Sequence, residues 1–208
     1  MMTEEQAKEW IEARWGRAAV LQLEQFVTLL REENMVQNLV SAASLEAVWL
    51  RHLADSAQLV SLAGDAGEGA WLDIGTGAGF PGLVAAILQP DRSVHLVEPR
   101  KRRAEWLDRA LRTLSLSNAT VHASKVEQIT PFSAAIITAR AVAALDRLTL
   151  WAQPFSTKDT LWLLPKGRNG RQELEEASAA NRQMFHVKQS VTDDKAVILV
   201  GKGKARKQ

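Results

Sequence analysis

The 208 residues suffice for one α/β domain plus a modest extension, and 26 Lys and Arg against 24 Asp and Glu leave a net charge of only +2, so any basic partner-binding surface must come from local clusters. Cysteine is absent and the four histidines (His52, His95, His122, His186) are scattered, which excludes disulfides, thiolate sites and a cysteine nucleophile and leads us to expect no metal. The longest apolar runs are too short for a bilayer and the opening MMTEEQAKEW is acidic where a signal peptide is basic, so a soluble, cytoplasmic, monomeric protein without membrane contact is expected.

Residues 3–62 read as helices: VLQLEQFVTLL and VWLRHLADSAQLVSLA carry apolar residues at helical spacing, with NLVSAAS between them. The glycine-rich GDAGEGA then leads into alternating strand and helix patterns. Strands are predicted near 70–74, 93–98, 119–122, 134–138, 160–164, 184–190 and 196–200, and helices at 82–88, 101–114, 141–152 and 171–181. The alternation is that of a doubly wound α/β fold with a seven-stranded, mostly parallel sheet. Only the last two strands lack an intervening helix. The turn TDDK makes them a hairpin and the final strand antiparallel. The expected organisation is a helical extension over 1–63 and a catalytic unit over 64–208, packed as one compact body and ending in the basic GKGKARKQ, read as mobile.

The stretch WLDIGTGAGFPG (71–82) is a strand running into a side-chain-free turn, and it satisfies two patterns. Gly77, Gly79 and Gly82 spell the dinucleotide fingerprint G-x-G-x-x-G, while Asp73, Gly75, Gly77 and Gly79 spell the acid-x-G-x-G-x-G turn of enzymes that use S-adenosylmethionine (SAM). Pro81 removes one of the helix-opening amides that a pyrophosphate needs, whereas at a first helical position it costs a SAM site nothing. The Asp73 carboxylate suits a cationic cofactor and would repel a pyrophosphate. Both residues favour SAM, with a nicotinamide-linked oxidoreductase, or a non-catalytic RNA-binding module on the same fold, as the alternatives.

In doubly wound sheets the ligand lies beyond the carboxyl ends of the strands. Glu98 ends the second strand about 20 residues after the glycine turn, where an acid grips ribose hydroxyls in either cofactor. After the third strand comes SKVEQI, where Val126 can pack on adenine and the backbone near Glu127 can meet its polar edge. The fourth strand ends in Thr138, Ala139 and Arg140, without the Asn/Asp-Pro-Pro-aromatic motif that holds an exocyclic amine. The Lys-Asp-Lys-Glu set of ribose methylation lacks its aspartate, and pyrimidine C5 methylation needs a cysteine. A ring nitrogen with a free lone pair remains as acceptor.

NLVSAASLEAVWLRHLADS, WLDIGTGAGFPG, LVEPRKRRAEWL, SKVEQI, ITARAVAAL and LLPKG, in this order and spacing, resemble the RsmG (glucose-inhibited division protein B) family of 16S rRNA guanine-N7 methyltransferases over nearly the whole chain. The departures are Pro99 after the ribose acid and the proline in LLPKG. The resemblance implies a Rossmann-like, SAM-dependent enzyme acting on N7 of a guanine in the 530 loop of 16S rRNA, as free rRNA or in the assembling small ribosomal subunit. It also implies cofactor contacts at Gly75, Phe80, Val126, Glu127 and Arg140. Arg140, orienting the cofactor or the base, and Lys166 are the expected catalytic side chains.

The basic clusters Arg100, Lys101, Arg102 and Arg103, then Lys166, Arg168 and Arg171, are expected to hold RNA phosphates, although a solvated charged face explains the first equally well. Lys202, Lys204, Arg206 and Lys207 form a third cluster, read as lying at the ligand edge with the second. The seven tryptophans fall in apolar patterns and read as core. Arg51, His52 and Asp55 share one helix at turn spacing, which fits either an intrahelical ion pair or closure over the cofactor edge.

Overall fold

The computed structural model describes residues 2–64 and 66–205. Helix α1 (Glu4–Asn34) starts on a capping box, in which Gln6 N donates to Thr3 Oγ1 at 3.2 Å and Thr3 N to Gln6 Oε1 at 2.9 Å. It bends at Gly16, whose φ of 81° is outside the helical range, and buries a stripe through Leu23, Phe26 and Leu30. A short α2 (Ala42–Glu46) leads into a π-helical turn, Trp49–Ala54, and then α3 (Asp55–Ala63). Glu4 reaches across from α1 to accept the N–H groups of Trp49 (3.0 Å) and Leu50 (2.7 Å), which clamps the widened turn.

The rest alternates as expected: β1 (Ala70–Ile74), α4 (Gly82–Leu88), β2 (Val94–Val97), α5 (Lys101–Thr113), β3 (Ala119–His122), β4 (Ala134–Ala139), α6 (Leu145–Ala152), β5 (Leu161–Lys166), α7 (Gly170–Glu176), α8 (Ala179–Met184), β6 (Phe185–Gln189) and β7 (Val197–Lys202). Among the described residues these strands form one seven-stranded sheet in the order β3-β2-β1-β4-β5-β7-β6. β7 is antiparallel and inserts between β5 and β6, which explains why Val197, Ile198 and Leu199 are buried while the edge strand FHVKQ is largely open. Alternate strand residues feed two cores. Trp71, Leu96, Ile136 and Leu163 pack under α1, α3, α4 and α5; Leu72, Val97, Ile137 and Trp162 pack under α6. Trp71, Trp106 and Trp162 are fully buried and the other four tryptophans are half-buried.

Three expectations need correction. The helix predicted from 141 starts at Leu145, because Ala141 is left-handed (φ 55°) and residues 141–144 form a loop. The helix predicted over 171–181 breaks at 177–178, where Asp146 accepts the Ser178 N–H and Ser178 caps α8. The segment after β7 is pinned: Gly203 N donates to Thr160 O (2.9 Å), Trp162 Nε1 to Gly203 O (2.9 Å), Ala205 N to Ser156 Oγ (3.1 Å), and Ala205 is buried. Arg206 and Lys207 lie outside the described residues.

Candidate active site

β1 delivers the chain to the centre of the sheet, and the turn from Gly75 to Gly79 crosses the carboxyl edge with φ of 68°, 57° and 98° at Gly75, Gly77 and Gly79, conformations that only glycine adopts cheaply. Over Gly77 the surface is open. A Cβ there would first meet the Arg103 guanidinium, 3.6 Å away, so a ligand can lie on this backbone. Glu98, at the end of β2, closes the turn from the side: one carboxylate oxygen accepts Gly77 N–H (3.0 Å) and the other Arg100 N–H (2.9 Å). Each oxygen keeps a further lone pair, on a residue that is 4% exposed.

Asp73 does something else than expected. It is fully buried, and its oxygens accept the Gly82 N–H (2.9 Å) and the Thr138 hydroxyl (2.8 Å), which in turn accepts Trp71 Nε1–H (2.8 Å). Burial pushes its pKa up to about 6 against the pull of those donors. The carboxylate therefore braces the start of α4 from behind and has no surface on which to meet a cofactor. Pro81 is the N-cap of α4, one residue ahead of the expected first helical position, and the first helical amide is spent on Asp73. A dinucleotide pyrophosphate would find that anion site already filled.

Arg140 leaves the end of β4 and is gripped by the helical segment. Nη2 donates to His52 Nδ1 (3.1 Å), Nη1 faces Asp55 Oδ2 (3.5 Å) and Arg51 O (3.4 Å), and the guanidinium carbon stands 5.1 Å from the centre of the Phe80 ring. His52 stacks on Phe80 at 4.7 Å, so His52 and the guanidinium lie side by side over the buried ring of the glycine turn. Burial lowers the His52 pKa to about 3, with the charges of Arg140 and Arg51 adding to the effect. Asp55 also accepts the Thr192 hydroxyl (3.0 Å) and the Gln58 amide (2.8 Å), tying Arg140 to the turn after β6. The intrahelical ion pair is not formed: the partner of Asp55 is Arg140 and not Arg51.

Beside Arg140 opens a cavity of about 880 Å³ between the loop 140–144, the ends of β5 and β7, and the 190–193 turn. Arg51, Arg140, Lys166 and Asp193 line it. Lys166 is not presented to the opening as a free cation: Nζ donates to Glu173 Oε1 (2.7 Å) and Ala143 O (3.3 Å), and its side chain is 11% exposed. Arg168 and Arg171 are exposed at the rim of this edge. Arg100, Lys101 and Arg102 are exposed on the first turn of α5, while Arg103 is half-buried over Gly77. Val126 is buried in the second core and Glu127 is exposed beside it. Lys202 and Lys204 sit elsewhere: Lys202 pairs with Leu161 at the start of β5, so these two lysines of the third cluster are at the pole opposite the glycine turn.

Sequence reasoning missed three contributors. Thr138 links Trp71 to Asp73 inside the sheet, Thr192 tethers Asp55, and Val142 lies over Gly75, its Cγ2 2.6 Å from where a Cβ would be. Only Thr138 had a signal, as a polar residue at the end of an otherwise apolar central strand.

The strand order with its inserted β7, the glycine turn whose first helical amide is spent on Asp73, and the acid at the end of β2 define a Rossmann-like SAM-dependent methyltransferase. Among solved structures, a SAM-dependent O-methyltransferase of Thermotoga maritima superposes with a TM-score of 0.54 at 13% identity, covering 74% of this chain and 66% of that one. A mutant of MtNAS in complex with S-adenosylmethionine gives 0.53 at 16%, covering 97% and 84%; at these identities the likeness is one of fold. A profile of the GidB family, described as rRNA small subunit methyltransferase G, matches residues 20–199. The chain is 47% identical over 204 residues to Ribosomal RNA small subunit methyltransferase G of Erythrobacter litoralis (98% of each chain), and 47% identical over 211 residues to the protein of that name from Novosphingobium aromaticivorans (100% of this chain, 92% of that one). The chain belongs to this family.

Proposed function

We propose that the protein methylates N7 of a guanine in the 530 loop of 16S rRNA, free or in the assembling small subunit. The observation that carries this reading is the chemistry of the cavity beside Arg140. Its lining holds no cysteine, and its three carboxylates are all engaged: Asp55 by Arg140 and Thr192, Glu173 by Lys166, Asp193 by the Lys195 amide. No lining residue is a cysteine nucleophile or a histidine base, and each carboxylate is already held by a donor. Guanine N7 needs neither nucleophile nor base, since its lone pair is available at neutral pH.

The residues present fit SAM: the bare backbone at Gly77 leaves room that a side chain would fill, and Glu98 stands beside it as a ribose acceptor. Bound SAM supplies an electrophilic methyl group. The chain supplies position and field. Arg140, fixed by His52, Asp55 and Phe80, directs its remaining N–H groups into the cavity, where they orient the purine or the methionyl carboxylate. Val126 and Glu127 border the adenine end, and Arg100, Lys101, Arg102, Arg168 and Arg171 hold phosphates around the opening. Lys166 acts on the cavity through the 143 carbonyl and Glu173, as a brace for the rim.

The test uses purified protein, SAM, a 16S rRNA transcript and small subunits lacking the modification. N7-methylated guanine is open to borohydride reduction and aniline cleavage, so the expected result is strand scission at one methylated guanine. A methylated product that resists cleavage rules out N7.

A further inference from the structure

The pole of the sheet opposite the glycine turn carries a groove of about 760 Å³, lined by Gln153, Lys158, Asn181, Gln183, Lys202 and Lys204 among others, with no carboxylate in its lining. Among the described residues none of these three ammonium groups is in an ion pair or hydrogen bond, and all three lysines are exposed. They are also not on a loose tail. Lys202 ends β7 inside the ladder with β5, and the bonds of Gly203 to Thr160 and Trp162 and of Ala205 to Ser156 fix the backbone on both sides of Lys204. Arg206 and Lys207 follow in the sequence. Ordering this segment beforehand removes part of the entropic cost of binding a polyanion.

We propose that this groove is a second RNA-contact site, which takes phosphates of the rRNA backbone away from the reacting guanine. The inference rests on the rRNA reading above. The antiparallel register sets Lys202 against Leu161 and Val197 against Lys166, so the groove and the acceptor cavity lie at opposite ends of five residue steps, about 17 Å. A small hairpin seated at the cavity does not reach the groove; a folded RNA that passes around the edge of the sheet does. The second grip thus selects for a large, structured substrate, and it adds phosphate contacts without adding base readout.

The test compares wild type with the Lys158→Gln/Lys202→Gln/Lys204→Gln variant on a full-length 16S rRNA transcript and on a short hairpin carrying only the 530 loop. SAM affinity and the thermal midpoint are measured first, to show that the variant is folded. On the transcript, the slope of log K against log salt becomes shallower by about 2 to 3, at about 0.9 per duplex phosphate contact, and KM rises while kcat holds. On the hairpin neither quantity changes. An unchanged slope on the transcript overturns the proposal, and so does an equal loss on both RNAs, which would make the groove part of the hairpin site. Weakened binding to assembled subunits with unaltered binding to naked transcript also overturns it, in favour of a protein partner. Failure of the wild type to bind or methylate either RNA overturns the rRNA reading itself, which separates the two.

Discussion

Replacing His52 by Phe should remove one contribution to stability that acid erodes, so the variant should gain on wild type as pH falls. His52 is 8% exposed, accepts from Arg140 through Nδ1, and carries its proton on Nε2, a buried atom with no partner. Burial and two arginines hold its pKa at about 3, against 6.5 for an ordinary histidine. Between those values the unfolded chain binds a proton that the folded chain refuses, so the stability from neutral His52 is complete above pH 6.5 and is lost as pH falls toward 3. From pH 7.5 to 5.5 the loss is about 1.4 kcal/mol. Asp73 works in the opposite sense: burial raises its pKa to about 6, so the folded state gains as pH falls from 6 toward 3.8. Wild type should therefore respond weakly to pH in that window. His52→Phe keeps the stack on Phe80 and removes both the titration and the acceptor for Arg140. At pH 7.5 it should cost at most about 2 kcal/mol, the worth of one hydrogen bond to a charged group that water partly replaces. At pH 5.5 the gap to wild type should have closed by about 1.4 kcal/mol. Urea unfolding of both proteins at the two pH values reads the difference, in which Asp73 and all other groups cancel. A gap that does not change with pH would refute a buried, neutral His52.

Gly75→Ala puts a Cβ 2.6 Å from Val142 Cγ2 at a φ of 68°, and should cost about 1 to 2 kcal/mol; adding Val142→Ala should recover only the steric part, as a denaturation double-mutant cycle would show. Arg140→Lys keeps the charge but loses the planar fork that meets His52 and Asp55 together, and single-turnover methylation should fall by about a hundredfold or more, while the melting temperature drops by only about 2 to 8 °C. Glu98→Ala removes the proposed ribose acceptor and the partner of Gly77 N–H, so calorimetry should find SAM binding weaker by about 1 to 3 kcal/mol; equal affinity would take Glu98 out of the site.

The strands, the glycine turn and the positions of Glu98 and Arg140 were legible because they follow from periodicity and from the rule that ligands sit at the carboxyl edge. Asp73 was misread because motif matching does not say which way a side chain faces. The alternation in WLDI places it with Trp71, pointing into the core. The antiparallel sense of β7, itself expected, already implies that the chain beyond it emerges at the far pole, so the placement of the third basic cluster was an error of inference and not of information. The left-handed Ala141 and the capture of Lys166 by Glu173 depend on how a loop packs, and no local pattern announces them.

The contacts that hold Arg140 also set an order of assembly. Asp55 belongs to the first third of the chain, Arg140 to the middle and Thr192 to the last hairpin, so the guanidinium is secured only when segments 85 and 137 residues apart in sequence have met. Such long-range closure comes late in folding. Neither a nascent chain still missing its last hairpin nor a fragment without the opening helices has all the pieces of this clamp, and methyl transfer is in that sense a readout of the completed fold.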